Sequence, residues 1–271
     1  VADVPRPAWK AYGKELRMAR DAAGLQQKDA AQELKISPSA YSAYERGTRG
    51  ISVTSVEKLD TLYGANKLLI RKWHDMNKAT GLDPWFQQLS DLEEAARELR
   101  DYQPVVLPGL AQTEHYARAL ISDVWPGKSS EFIDSLVKAR MRRQGLLGKA
   151  DAPLVIMVIE EAVVHRRVGD LSEEHYREQI QRLIQDMERG TLLMQIIPSS
   201  APRHHGGSGP FRINTFADRP SVASAEYMTG EAVIEDPELV QHCMTVFGLL
   251  QGEALSVRQS LDMLRKVLHD G

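Results

Sequence analysis

The sequence predicts an all-α amino-terminal domain of five short helices followed by a larger α/β (α+β) domain with a small sheet. Three observations lead there. The chain has 271 residues, a length at which a single core usually divides into about two domains. Its charge divides as well: residues 1–80 carry 14 Lys and Arg against 9 Asp and Glu, whereas residues 81–271 carry 20 against 28, so a net charge of -3 conceals a basic segment joined to an acidic one. Finally, apolar positions recur with helical spacing through the first part, while short aliphatic runs alternate with helical stretches in the second.

The composition, 42% hydrophobic and 26% charged with a mean hydropathy of -0.36, supplies a sizeable core and excludes wholesale disorder. One cysteine, Cys243, excludes an intramolecular disulfide and a multi-cysteine zinc site. The longest apolar run, Leu154 to Ile159, is far too short to span a bilayer, and the first residues lack a signal-peptide stretch. A cytoplasmic protein without a membrane partner is the expectation.

Residues 1–9, with Pro5 and Pro7, are expected to form a flexible arm; Arg6 is its candidate for a minor groove, with disorder the plainer reading. Residues 10–78 form the helical domain. Tyr12, Leu16, Ala19 and Ala23 share one face of a first helix stopped by Gly24. A second helix runs from Gln26 or Gln27 to Leu34, with Ala30 and Ala31 small enough to admit a neighbour. Ser37 before Pro38 is an N-cap followed by the residue best suited to the first helical position, so a third helix runs from there to about Glu45, before Gly47. Thr54 and Glu57 stand at capping-box spacing for a fourth, with Val56, Leu59, Leu62 and Tyr63 on its stripe, and Ala65 to Asn77 reads as a fifth. A tight turn between helices two and three is the helix-turn-helix layout.

Leu16-Arg17 through Gly24-Leu25, then Gln27, Ala31, Leu34, Ile36-Ser37, Glu45-Arg46-Gly47 and Leu59, closely resemble the Xre family of Cro/repressor-like DNA-binding domains over roughly residues 10–75. The resemblance implies double-stranded DNA as partner, with the third helix in the major groove. On that helix Ser39, Ser42 and Ala43 point outward, with Ser37 at its start; short hydroxyls discriminate bases weakly, which leaves more of the sequence preference to water, DNA shape or Arg46. The same resemblance assigns Gln27 to a backbone phosphate, and Lys28, Arg46 and Arg49 lie where cations reach flanking phosphates. Lys35 occupies a position where the family carries Gly, at a cost of about 1 kcal/mol for a left-handed residue. Tyr41 and Tyr44, spaced i, i+3, are expected in the core with their hydroxyls near the rim.

Residues 79–84 read as a linker, with Gly81 and Asp83-Pro84. The second domain, residues 85–271, is expected to hold a helix from Trp85 to about Asp101, an extended segment from Gln103 to Leu110, helices at 112–121 and 130–147, a buried strand at Leu154–Ile159, a helix at 172–189, strands at 192–197, 211–216 and 222–227, and closing helices at 237–250 and 256–268. The pieces Val105 to Ala117, Arg140-Met141 with Gln144, Glu160-Glu161-Ala162, Arg166, Gly169, Gln195 to Pro198 and Gly209-x-Phe211 resemble the domain of unknown function that follows the Xre module in many actinomycete regulators. Such regulators are described as antitoxin-like, which implies a small protein partner.

The polar cluster Arg203 to Pro210 holds His204, His205 and Ser208. It is not a nucleophile elbow, because Pro210 stands where Gly is required; it lacks a P-loop Lys; and Glu160-Glu161 join it as metal ligands only if the fold brings them near. It reads as a flexible loop. The basic run Lys138 to Arg143 reads as the wet side of a helix. No catalytic, cofactor-binding or metal residue is therefore expected, and the chain is read as a non-enzymatic, sequence-specific transcriptional regulator, homodimeric, whose second domain dimerises and senses a partner or ligand. The competing reading is an antitoxin-like scaffold for a small partner protein, with DNA binding secondary.

Overall fold

Proline is well tolerated in the first turn of a helix, where its missing N–H costs nothing, and the first helix begins earlier than expected for that reason. In a computed structural model, which describes residues 7–78, 84–227 and 230–270, α1 spans Pro7–Ala22. Trp9, Tyr12 and Leu16 are buried along its inner face, so the expected arm of residues 1–9 is shorter than its sequence implied; residues 1–6, including Arg6, lie outside the described part. Helix α2 (Gln27–Glu33) and α3 (Pro38–Arg46) follow, and Gly47 closes α3 at φ 67°, in the left-handed region that favours glycine.

Two starts differ from expectation. Helix α4 (Val53–Tyr63) is capped by Ser52, whose Oγ accepts from the Ser55 amide at 3.1 Å, so Thr54 and Glu57 do not form its capping box. Helix α5 (Leu68–Lys78) starts after Asn66 and Lys67 adopt φ of 49° and 63°, and the buried Asp60 carboxylate accepts from the Lys67 and Leu69 amides at 2.7 and 2.9 Å. A carboxylate at a helix N-terminus meets both the free amides and the positive end of the dipole. Tyr41, Tyr44, Ile51, Val56, Leu59, Leu69 and Trp73 complete the core of these five helices.

The second half is a six-stranded mixed sheet in the order β3-β2-β1-β4-β5-β6, with helices on both faces. Helix α6 (Pro84–Ala95) ends earlier than expected, and Glu98–Gln103 forms β1 rather than the end of a helix. The strands β2 (Leu154–Glu160) and β3 (Leu193–Ile197) continue parallel on one side; β4 (Phe211–Thr215), β5 (Val222–Tyr227) and an unanticipated β6 (Gly230–Ile234) run antiparallel on the other. Between them lie α7 (Glu114–Val124), α8 (Ser130–Gln144), the short α9 (Glu161–His165) and α10 (Glu173–Glu188), and α11 (Pro237–Glu253) and α12 (Val257–Asp270) close the chain.

Register decides what each face carries, because alternate residues point to opposite sides. Leu99, Val155, Met157, Ile159, Met194 and Ile196 share one face and form the larger core with α7, α10 and α12. On the same face, toward β6, the side chains turn polar: Asp101, Gln103, Arg212, Asn214, Ser224 and Glu231. The opposite face carries Tyr102, Val158, Ile197, Ile213 and Ala223 against Val240, Phe247 and Leu250 of α11. No helix among the described residues is long and apolar enough to cross a membrane.

Candidate nucleic-acid interface

The turn between α2 and α3 is made by four residues, Leu34 to Ser37, and needs one left-handed residue; Lys35 supplies it at φ 56°. Ser37 caps α3, its Oγ accepting from the Ala40 amide at 3.2 Å and lying 2.9 Å from Ser39 Oγ. Behind the helix, the buried Glu45 carboxylate receives Arg20 Nε at 2.6 Å and Nη2 at 3.2 Å, and Gln27 Nε2 at 2.6 Å. Arg20 also donates to the Leu25 carbonyl at 2.7 Å. This network ties α1 and the start of α2 to α3, and the Glu45 hydrogen bonds raise the Arg20 pKa above its ordinary value. Close approach of α1 and α3 depends on two glycines: a Cβ on Gly13 would strike the Tyr44 and Glu45 carbonyls, and one on Gly47 the backbone of Trp9 and Lys10.

The outward side of α3 carries the expected reading residues. Ser39 and Arg46 are exposed, Ser42 and Ala43 half-buried, and Arg46 Nη1 donates to Ser42 Oγ at 2.6 Å. Lys28 is exposed on α2. Thus Lys28, Ser37, Ser39, Ser42, Ala43 and Arg46 are placed along one accessible surface of the two helices. Gln27 is only partly available, since its amide nitrogen is held by Glu45.

Arg49 is different, and here the expectation of a phosphate contact needs correction. It is 9% exposed; its Nη2 donates to Glu235 Oε1 at 2.8 Å, and its guanidinium lies 5.1 Å from the Tyr44 ring centroid. Glu235, just beyond β6, is the focus of a junction between the two halves. Tyr44 donates its hydroxyl to Glu235 Oε1 at 2.6 Å and Ser55 donates to Oε2 at 3.2 Å. The neighbouring Asp236 caps α11 and pairs with Lys35 Nζ at 3.0 Å. Burial, then the Glu235 carboxylate, pushes the Tyr44 phenol pKa well up; the Lys35 pairing raises the lysine and lowers Asp236. Sequence reasoning placed the Tyr44 ring in the core but had no signal for Glu235 or Asp236, which stand more than 170 residues away from their partners. These junction contacts fall on Lys35, Tyr44, Arg49 and Ser55, leaving Ser39 and Arg46 open to solvent.

The polar candidates of the second half are also placed. Glu160 is brought to the His204 loop: His204 Nε2 lies 3.0 Å from Glu160 Oε1, which also accepts from the Tyr102 hydroxyl at 2.9 Å. Gly206 packs against Tyr102 so tightly that a Cβ there would strike its phenol, which fixes this loop against the sheet edge. The basic run on α8 is not simply a wet face: Arg143 is buried on Glu93, and Arg140 donates to Gln112 at 2.8 Å, whereas Lys138 and Arg142 are exposed. Among the described residues one group of metal-capable side chains converges, His115, His175 and Glu178, at the surface with the two imidazoles stacked 3.6 Å apart.

A capped helix held across a tight turn by a buried carboxylate network, with its outer side open, defines the helix-turn-helix class of DNA-binding domain, and residues 11–73 match the family model described as "Helix-turn-helix domain". Residues 86–266, more than half of the chain, match "Domain of unknown function (DUF5753)", and the protein belongs to that family. No curated protein and no solved structure shows significant similarity to it.

Proposed function

We propose that the protein is a sequence-specific transcriptional regulator of the Xre type, which binds double-stranded DNA as a homodimer and uses its DUF5753 half to dimerise and to sense a small ligand or a protein partner. The observation that carries this reading is the open outer side of α3, with Ser39 and Arg46 exposed beside Lys28 on a helix locked from behind by Glu45. Dimerisation is argued from affinity: one module buries too little surface and reads too few base pairs to select a genomic site, whereas a two-fold pair on half-sites roughly 34 Å apart doubles both. Genomic footprinting with the full chain tests it. Protection of two-fold symmetric sites with half-sites one helical turn apart is expected; protection no better than bulk DNA would overturn it.

A further inference from the structure

Buried polar groups in folded proteins almost always have hydrogen-bond partners. On the polar side of the sheet they do not. Asn214 is 0% exposed, with neither its Oδ1 nor its Nδ2 hydrogen-bonded; Ser224 is 1% exposed with a free Oγ; Glu231 is 8% exposed with both carboxylate oxygens free. Arg212 Nη1 and Arg140 Nε are orphaned beside them. Register gathers these residues: Arg212 and Asn214 on β4, Ser224 on β5 and Glu231 on β6 all share the face that carries Asp101.

Matching the charges narrows what is missing. Arg212 is taken by Asp101 at 2.7 Å and Arg143 by Glu93 at 2.5 Å. Glu226, partly exposed on β5, stands 3.6 Å from Arg212 and lies at the edge of the cluster. Two buried charges of opposite sign are left without close counterions. Glu231 comes no nearer to a cation than 3.8 Å, at Arg212 Nη1, and Arg140 has only the neutral Gln112. Each responds as a stranded charge should: burial, opposed by Arg212 and reinforced by Glu226, lifts Glu231 to about 7, and burial with the neighbouring Arg143 lowers Arg140 to about 10. They do not pair with each other, although both feel Arg212, Glu226 and Arg143.

We propose that this cluster binds a small zwitterion of the amino-acid class, its ammonium on Glu231 and its carboxylate on Arg140, with Asn214 and Ser224 taking the remaining polar atoms. Such a molecule supplies the partners that the orphaned donors and acceptors lack and brings no net charge into a low-dielectric interior. The proposal rests on the reading of the second half as the sensing domain, and placement favours it. Glu231 is on β6, and Glu235, which holds Tyr44, Arg49 and Ser55 of the helix-turn-helix domain, follows directly after that strand.

The test is calorimetry and thermal unfolding of the full chain with each of the common L-amino acids, alongside ethanolamine and lactate as carriers of only one of the two charges. At least one amino acid should bind saturably and raise the unfolding temperature, with tenfold or greater loss of affinity in Glu231→Gln and in Arg140→Gln. The one-charge analogues should bind at least tenfold more weakly. Ser224→Ala, a smaller change, should reduce affinity severalfold and covers the event that a charge variant does not fold. Failure of every amino acid to bind, or undiminished binding in the variants, overturns the site. DNA retention by the same preparations keeps the two readings apart: DNA binding without an amino-acid response removes the site alone, whereas an amino-acid response without DNA binding removes the regulator reading and leaves the site.

Discussion

Glu45 shows how much of the interface depends on one side chain. Replacing it by Ala leaves the Arg20 guanidinium buried without its carboxylate, and a buried pair broken from one side costs about 3–5 kcal/mol, so urea unfolding of Glu45→Ala should reveal a loss of that order. The exposed Arg46 acts in DNA binding rather than folding. Arg46→Ala should weaken binding to all DNA and reduce the slope of log affinity against log salt by about one unit, whereas Arg49→Ala, its charge already taken by Glu235, should leave that slope unchanged. Salt titrations of both variants decide between them. For Glu231 the sign follows from its raised pKa: the native state holds the proton more tightly than the unfolded chain. Stability conferred at low pH is therefore lost as pH rises from about 4.5 to about 7. Glu231→Gln should flatten that fall, by about 3 kcal/mol at most, in denaturation curves measured across this range.

At the scale of elements, the α2–α3 turn carries its own cost. A lysine held at positive φ is less stable than glycine there by roughly 1 kcal/mol, and part of that returns through the greater freedom of unfolded glycine. Lys35→Gly should raise the stability of the domain slightly, by about 0.5 kcal/mol, as chemical denaturation would show. Much of this half was legible, because Ser37-Pro38, Gly24 and Gly47 act locally and their effects are confined to a turn. The second half was legible where burial is uniform, as in Leu154 to Ile159. It was not legible in β1, where Glu98-Leu99-Arg100-Asp101-Tyr102-Gln103 reads as a charged helical face. Asp101 points into the polar cluster and Arg100 pairs with Glu98, so polarity there follows a tertiary arrangement that no local pattern encodes. Arg140 and Arg143 misled for the same reason, as a basic run on a helix ordinarily faces water.

At the scale of the molecule, the junction at Glu235 joins the two halves through three donors from α3, the α3–α4 loop and α4. Glu235→Gln keeps the shape but removes the charge that Arg49 neutralises. The two halves should then separate more readily, seen as a broader distance distribution in small-angle scattering and a split unfolding transition in calorimetry, where the native chain should give one. The identity of Glu235 also bears on how such proteins can be recombined. A chimera that grafts a foreign reading head onto this second half would leave a carboxylate stranded at the seam unless the graft brought its own phenol, guanidinium and hydroxyl to the same three places. Heads and bodies of this architecture are therefore exchangeable only as matched sets.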